Sequence, residues 1–70
     1  MDKKETIKNA VSKAFREGYD QVVYMDDVFG GYAFSRDYPL NNMYKRENVI
    51  GHVRTGWQNG IFYAKYCEAN

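Results

Sequence analysis

Cysteine, histidine, proline and tryptophan each occur once in these 70 residues, and each scarcity removes a class of explanation. Cys67 alone cannot close an intramolecular disulfide, which points to a reducing compartment. With His52 as the only histidine, a zinc cluster of the usual His and Cys kind cannot be assembled. The chain also lacks a long apolar run for a membrane span, and its polar start lacks the apolar segment of a secretion signal. We therefore expect a cytoplasmic protein with no membrane association. A large excess of either charge is missing too. The formal net charge is +1, which argues against a strongly electrostatic nucleic-acid binder.

Catalytic patterns are equally thin. Gly30-Gly31 has no following helix and no P-loop lysine, so it is not a phosphate cradle. No nucleophilic triad is evident. In the register derived below, His52 faces Cys67, but no oxyanion hole or third orienting group accompanies them. The expectation is a protein that is not an enzyme and carries neither cofactor nor metal.

Aromatic residues are what the chain has in quantity, with seven Tyr, four Phe and one Trp, or 17% of the sequence. A chain of this size only just offsets the entropy of folding, and without a disulfide or metal it depends on a dense core or a partner. Aromatic side chains serve either route. A single domain over residues 1–70 is expected.

The stretch Val49 to Cys67 organises the fold. Asn59-Gly60 is the strongest short signal for a type I′ hairpin turn, whose two central residues both need positive φ. That turn sets Gln58 against Ile61, Trp57 against Phe62, Gly56 against Tyr63 and so on to His52 against Cys67. Alternation then places Val49, Val53, Thr55, Trp57, Phe62, Ala64 and Tyr66 on a core face. Ile50, His52, Arg54, Gln58, Ile61, Tyr63, Lys65 and Cys67 fall on the opposite, half-wetted face.

Residues 2 to 17 read as an amphipathic helix, with a stripe of Ile7, Ala10, Val11, Ala14 and Phe15, an Asp2 and Glu5 capping box, and Gly18 at C′. Gln21 to Met25 and Tyr32 to Arg36 read as two strands joined by a bulged loop that begins at Asp26. Asp37 to Asn48 is irregular, broken by Pro39 and the Asn pair, with Asn41 placed to cap one helical turn through Tyr44 and Lys45. The fold class that follows is α+β, an N-terminal helix packed on one face of an antiparallel sheet of about four strands in two hairpins.

Tyr24-Met25-Asp26-Asp27 is similar to the Tyr-Met-Asp-Asp motif of reverse transcriptases, in which paired carboxylates at a hairpin turn bind catalytic magnesium. The resemblance covers only the motif and its immediate flanks. No separate upstream strand supplies the further acidic residue of a two-metal site, so we read a structural turn here.

The function expected from this pattern is a protein-interaction module, of the kind found among small phage or mobile-element accessory proteins that inhibit or adapt a larger host protein. Its contact residues would be Ile50, His52, Arg54, Ile61, Tyr63 and Lys65 on the outer hairpin face, with Tyr44 from the connection. The alternative is a nucleic-acid-binding module that stacks bases on the same basic and aromatic face. An exposed edge strand also offers a route to a homodimer.

Overall fold

A computed structural model describes residues 2–38 and 43–69. Helix α1 spans Lys3–Glu17, followed by strands β1 (Gln21–Met25), β2 (Tyr32–Arg36), β3 (Val49–Gln58) and β4 (Ile61–Glu68). The strands form one antiparallel sheet in the order β2-β1-β3-β4, with α1 packed on one face. This is the expected α+β architecture.

Both ends of α1 are capped as the sequence indicates. The Asp2 carboxylate accepts from the Glu5 N–H at 2.8 Å, and Gly18, at φ 80°, donates its N–H to the Ala14 carbonyl at 2.8 Å. The buried stripe, however, is centred on Thr6, Ala10 and Ala14, flanked by Ile7 and Val11. Small residues at i, i+4, i+8 let the helix axis approach the sheet closely. Thr6 can be buried because its hydroxyl donates to the Asp2 carbonyl at 2.8 Å. Phe15, expected in the stripe, is 56% exposed.

The Asn59-Gly60 turn sets the register of β3 and β4 as derived, with both residues at positive φ (54° and 78°) and every pair from Gln58–Ile61 to His52–Cys67 as expected. The first hairpin closes through the longer loop. Asp26 and Gly31 are joined by an N–H to carbonyl bond of 2.9 Å, and the Asp26 carboxylate accepts from the N–H groups of Val28 and Phe29.

One residue of β3 changes the face assignment. Val23 pairs with Gly51 whereas Tyr24 pairs with Val49, so Ile50 is the extra residue of a β-bulge. Alternation resets at that point. Ile50 packs against the helix-side core of Ala10, Ala14, Val23 and Val53, while Val49 falls opposite Tyr24 on the other face. The two were expected the other way round. Gly51 is required beside the bulge because a Cβ there would overlap the Tyr66 ring and hydroxyl. The Tyr66 hydroxyl donates to the Ile50 carbonyl at 3.3 Å, and burial, then the neighbouring Glu68 charge, push its pKa up to about 12.

Because β2 and β3 both flank β1, the chain between them must pass β1. Tyr44 stacks on Tyr24 at 4.9 Å between ring centroids, on the face away from the helix. Val22 and Tyr24 are 0% and 6% exposed although they point away from α1. Pro39 and Asn41 lie outside the described residues. Among the described residues of this segment a 3-10 turn forms at Arg46–Asn48, later than the expected turn through Tyr44 and Lys45.

Two substitutions test this packing by chemical denaturation. Gly51→Ala should lose about 2 kcal/mol or more, because overlap with a half-buried ring forces the β3–β4 pair apart. Val53→Ala, in the centre of the core, should lose about 2 kcal/mol. A loss below about 0.5 kcal/mol for either would contradict the assigned faces.

Candidate functional site

The length of β3 sets the geometry of the site. Ten strand residues extend about 33 Å, whereas a fifteen-residue helix extends about 22 Å. Strand β1 meets β3 only as far as Val53, opposite Gln21. The hairpin beyond Arg54 and Lys65 is therefore a two-stranded ribbon that overhangs the rest of the sheet, with α1 reaching it through Phe15.

Trp57 sits on this overhang. It lies on the helix side, as alternation requires, yet it is 72% exposed. This corrects the expectation that Trp57 is core. Its ring packs against Phe62 (5.2 Å between centroids), and Phe62 packs in turn against Phe15 from the last turn of α1 (5.6 Å). Ile61, 70% exposed, and Tyr63 occupy the reverse side of the same tip, forming a shallow concavity with Gln58 and Asn59. The Tyr63 ring lies over Gly56, where a Cβ would come within 2.7 Å of the hydroxyl oxygen. The tip thus presents apolar and aromatic side chains on both sides of a rigid ribbon.

Asp20 holds the base of the ribbon. Its Oδ1 accepts from the Thr55 N–H at 2.9 Å and from the Thr55 hydroxyl at 2.6 Å, continuing the β1–β3 ladder after the strand pairing stops. Arg54 bridges Asp20 at 3.6 Å and Asp37 at 3.5 Å. Burial pushes the Asp20 carboxyl up, but the hydrogen bonds from Thr55 and the Arg54 charge outweigh it and hold the pKa below the ordinary aspartate value. Nothing in the local sequence signals this role. It depends on a pairing 35 residues apart.

The residues expected to form the site are only partly brought together. Ile61, Tyr63 and Lys65 follow one another on the outer face of β4, and His52 lies opposite the exposed Cys67. Ile50 is removed to the core by the bulge. Arg54 is held by two carboxylates. Tyr44 is stacked on Tyr24, and burial, then the Asp37 charge, raise its pKa. Trp57, Phe62 and Phe15 were missed because alternation reports which side a residue faces but not how completely that side is covered.

Asp26 and Asp27 do not converge. The Asp26 carboxylate is engaged by its own turn, and Asp27 pairs with Lys45 at 2.9 Å, a contact that lowers the Asp27 pKa and raises that of Lys45. Among the described residues, no group of three or more His, Cys, Asp or Glu side chains is placed to hold a metal ion, and no helix is long and apolar enough to cross a membrane. Val28 and Phe29 are also exposed, but they project from the loop at the opposite end of the sheet rather than from paired strands.

Comparison with protein-family models, with curated proteins and with solved structures gave no match.

Asp20→Asn should remove about 1–3 kcal/mol of stability measured at neutral pH. The pH dependence has a defined sign. Because the folded-state pKa of Asp20 is depressed, its contribution is full above the ordinary aspartate pKa and is lost as pH falls through the lower folded value. The variant should therefore be less stable than the native chain at neutral pH, and the difference should shrink in acid. A stability difference that stays constant from neutral pH down through the carboxylate range would contradict this role.

Proposed function

We propose that this protein is a non-enzymatic protein-interaction module that docks on a larger protein through the overhanging hairpin tip. The observation that carries the reading is a tryptophan 72% exposed on paired strands, braced by Phe62 and Phe15. An exposed indole on a rigid ribbon is a ready anchor, since little side-chain entropy is lost on binding and a large apolar area leaves water. Ile61 and Tyr63 on the reverse side make the tip suited to a cleft that grips both faces. A small accessory protein that inhibits or adapts a host protein fits this geometry, with the partner supplying an apolar cleft.

The competing reading, base stacking on a basic and aromatic sheet face, loses support because Arg54 is neutralised by Asp20 and Asp37. That leaves Lys65 as the one lysine or arginine of the β3–β4 outer face without an ion pair among the described residues.

Trp57→Ala provides the test. The substitution should change folding stability by less than about 1 kcal/mol, because most of the ring is already in water. Used as paired baits in a lysate of the native host, the wild-type chain should retain a stoichiometric protein and the variant should lose it, corresponding to a drop in affinity of about 30-fold or more. Equal retention by both baits, or retention of nucleic acid with no protein, would overturn the proposal.

A further inference from the structure

Strand β4 is an edge of the sheet, and it carries few of the usual protections against pairing. It is eight residues long, with no proline and no bulge, and Lys65 is its only lysine or arginine. The hairpin turn decides which of its backbone groups are free. In a two-residue hairpin the residues flanking the turn bond to each other, so Ile61, Tyr63, Lys65 and Cys67 direct their N–H and carbonyl groups to β3, while Phe62, Ala64, Tyr66 and Glu68 direct theirs outward. The facing strand shows the same alternation: the Thr55 N–H, across from Ala64, turns away from β4 to reach Asp20. Among the described residues, no bond occupies the outward backbone groups of Phe62, Ala64 and Tyr66.

We infer that this edge pairs with the β4 edge of a second copy, antiparallel about a two-fold axis through Ala64, to give a continuous eight-stranded sheet. The register follows from charge, length and face. Only registers that pair outward-bonding residues with one another keep both the hydrogen bonds and the two faces in step. An axis through Lys65 would set that lysine opposite its own copy, a like-charge pair. An axis through Tyr63 moves the overlap toward the turn and shortens the ladder. The axis through Ala64 instead sets Tyr63 of one copy opposite Lys65 of the other, an aromatic and cation pair repeated by symmetry, and Ile61 opposite Cys67. On the helix side, Phe62 falls opposite Tyr66, and Ala64, the smallest side chain of the strand, falls at the axis where the two copies of α1 come nearest. Trp57 lies one strand in from the new ladder, so the dimer displays two docking tips at opposite ends.

Sedimentation equilibrium on the intact chain tests the association without reference to any docking partner. The wild-type protein should show a monomer–dimer equilibrium. Tyr63→Lys, which opposes two lysines at two symmetric places, should raise the dissociation constant about tenfold. Adding Lys65→Glu to that variant should restore dimerisation, which separates a register effect from a folding defect. Ile61→Cys tests the register directly. Its thiol should lie across from native Cys67 in a non-hydrogen-bonded pair with Cα atoms about 4.5 Å apart, so mild oxidation should give a covalent dimer linked between these positions. Gln58→Cys, on the neighbouring strand, serves as the control. A monomer at all concentrations up to about 1 mM, no effect of Tyr63→Lys, failure of the second substitution to rescue, or cross-linking of Ile61→Cys no faster than the control would overturn the inference.

Discussion

Strand β1 is half as long as the β3 strand it pairs with, and that mismatch governs most of what is distinctive here. An amphipathic helix can protect only the length of sheet it spans, about 1.5 Å for each of its residues against about 3.3 Å for each strand residue. The chain ends α1 at Glu17 and turns at Gly18, yet it carries β3 on to Gln58. Beyond Val53 no third strand flanks β3, and α1 reaches the ribbon through Phe15 on Phe62. The solution is local: the type I′ turn, the Trp57–Phe62 and Phe62–Phe15 ring contacts, the Tyr63 ring over Gly56, and the Asp20 carboxylate that continues the ladder to Thr55. These interactions hold the ribbon rigid while leaving its apolar side chains in water.

The core is correspondingly compact. Ala10 and Ala14 let the helix close on Val23 and Val53, and the bulge at Ile50 returns a large apolar side chain to this core at the other end of β3. The far face of the sheet is divided. Over β1 it is closed, with Tyr44 stacked on Tyr24, and over β3 and β4 it is open. The ion pairs of Lys45 with Asp27 and of Arg54 with Asp37 tie the two ends of the connection to neighbouring elements. A domain of this size thus concentrates its burial around β1 and the first half of β3, and presents Trp57, Ile61 and Tyr63 where only two strands remain.

Features written into short stretches of sequence were legible as such. The helix and its caps, the strands Gln21 to Met25 and Tyr32 to Arg36, the loop from Asp26, and the whole β3–β4 register depend on neighbours within a few residues or on one turn. Features that depend on distant pairings were not. The bulge at Ile50 arises only when β3 lies against β1, and a reading based on strict alternation therefore assigned Ile50 to the outer face and Val49 to the core. Arg54 looked like a free cation because its partners, Asp20 and Asp37, come from other elements. Trp57 lies on the side that alternation assigns but is exposed there, since alternation carries no information about what covers that side. The candidate site accordingly shifts from the middle of the hairpin face to its tip, with Ile61 and Tyr63 common to both.

Trp57 is the only tryptophan in the chain, so intrinsic fluorescence reports on the overhang alone. Emission and acrylamide quenching of the folded monomer, compared with the same chain in denaturant, show whether the Trp57 indole lies in water. An indole on an uncovered ribbon should emit nearly as it does in water and be readily quenched, with little change on unfolding. A blue-shifted emission protected from quencher, which moves to the red only as the protein unfolds, would place Trp57 in the core and contradict the account.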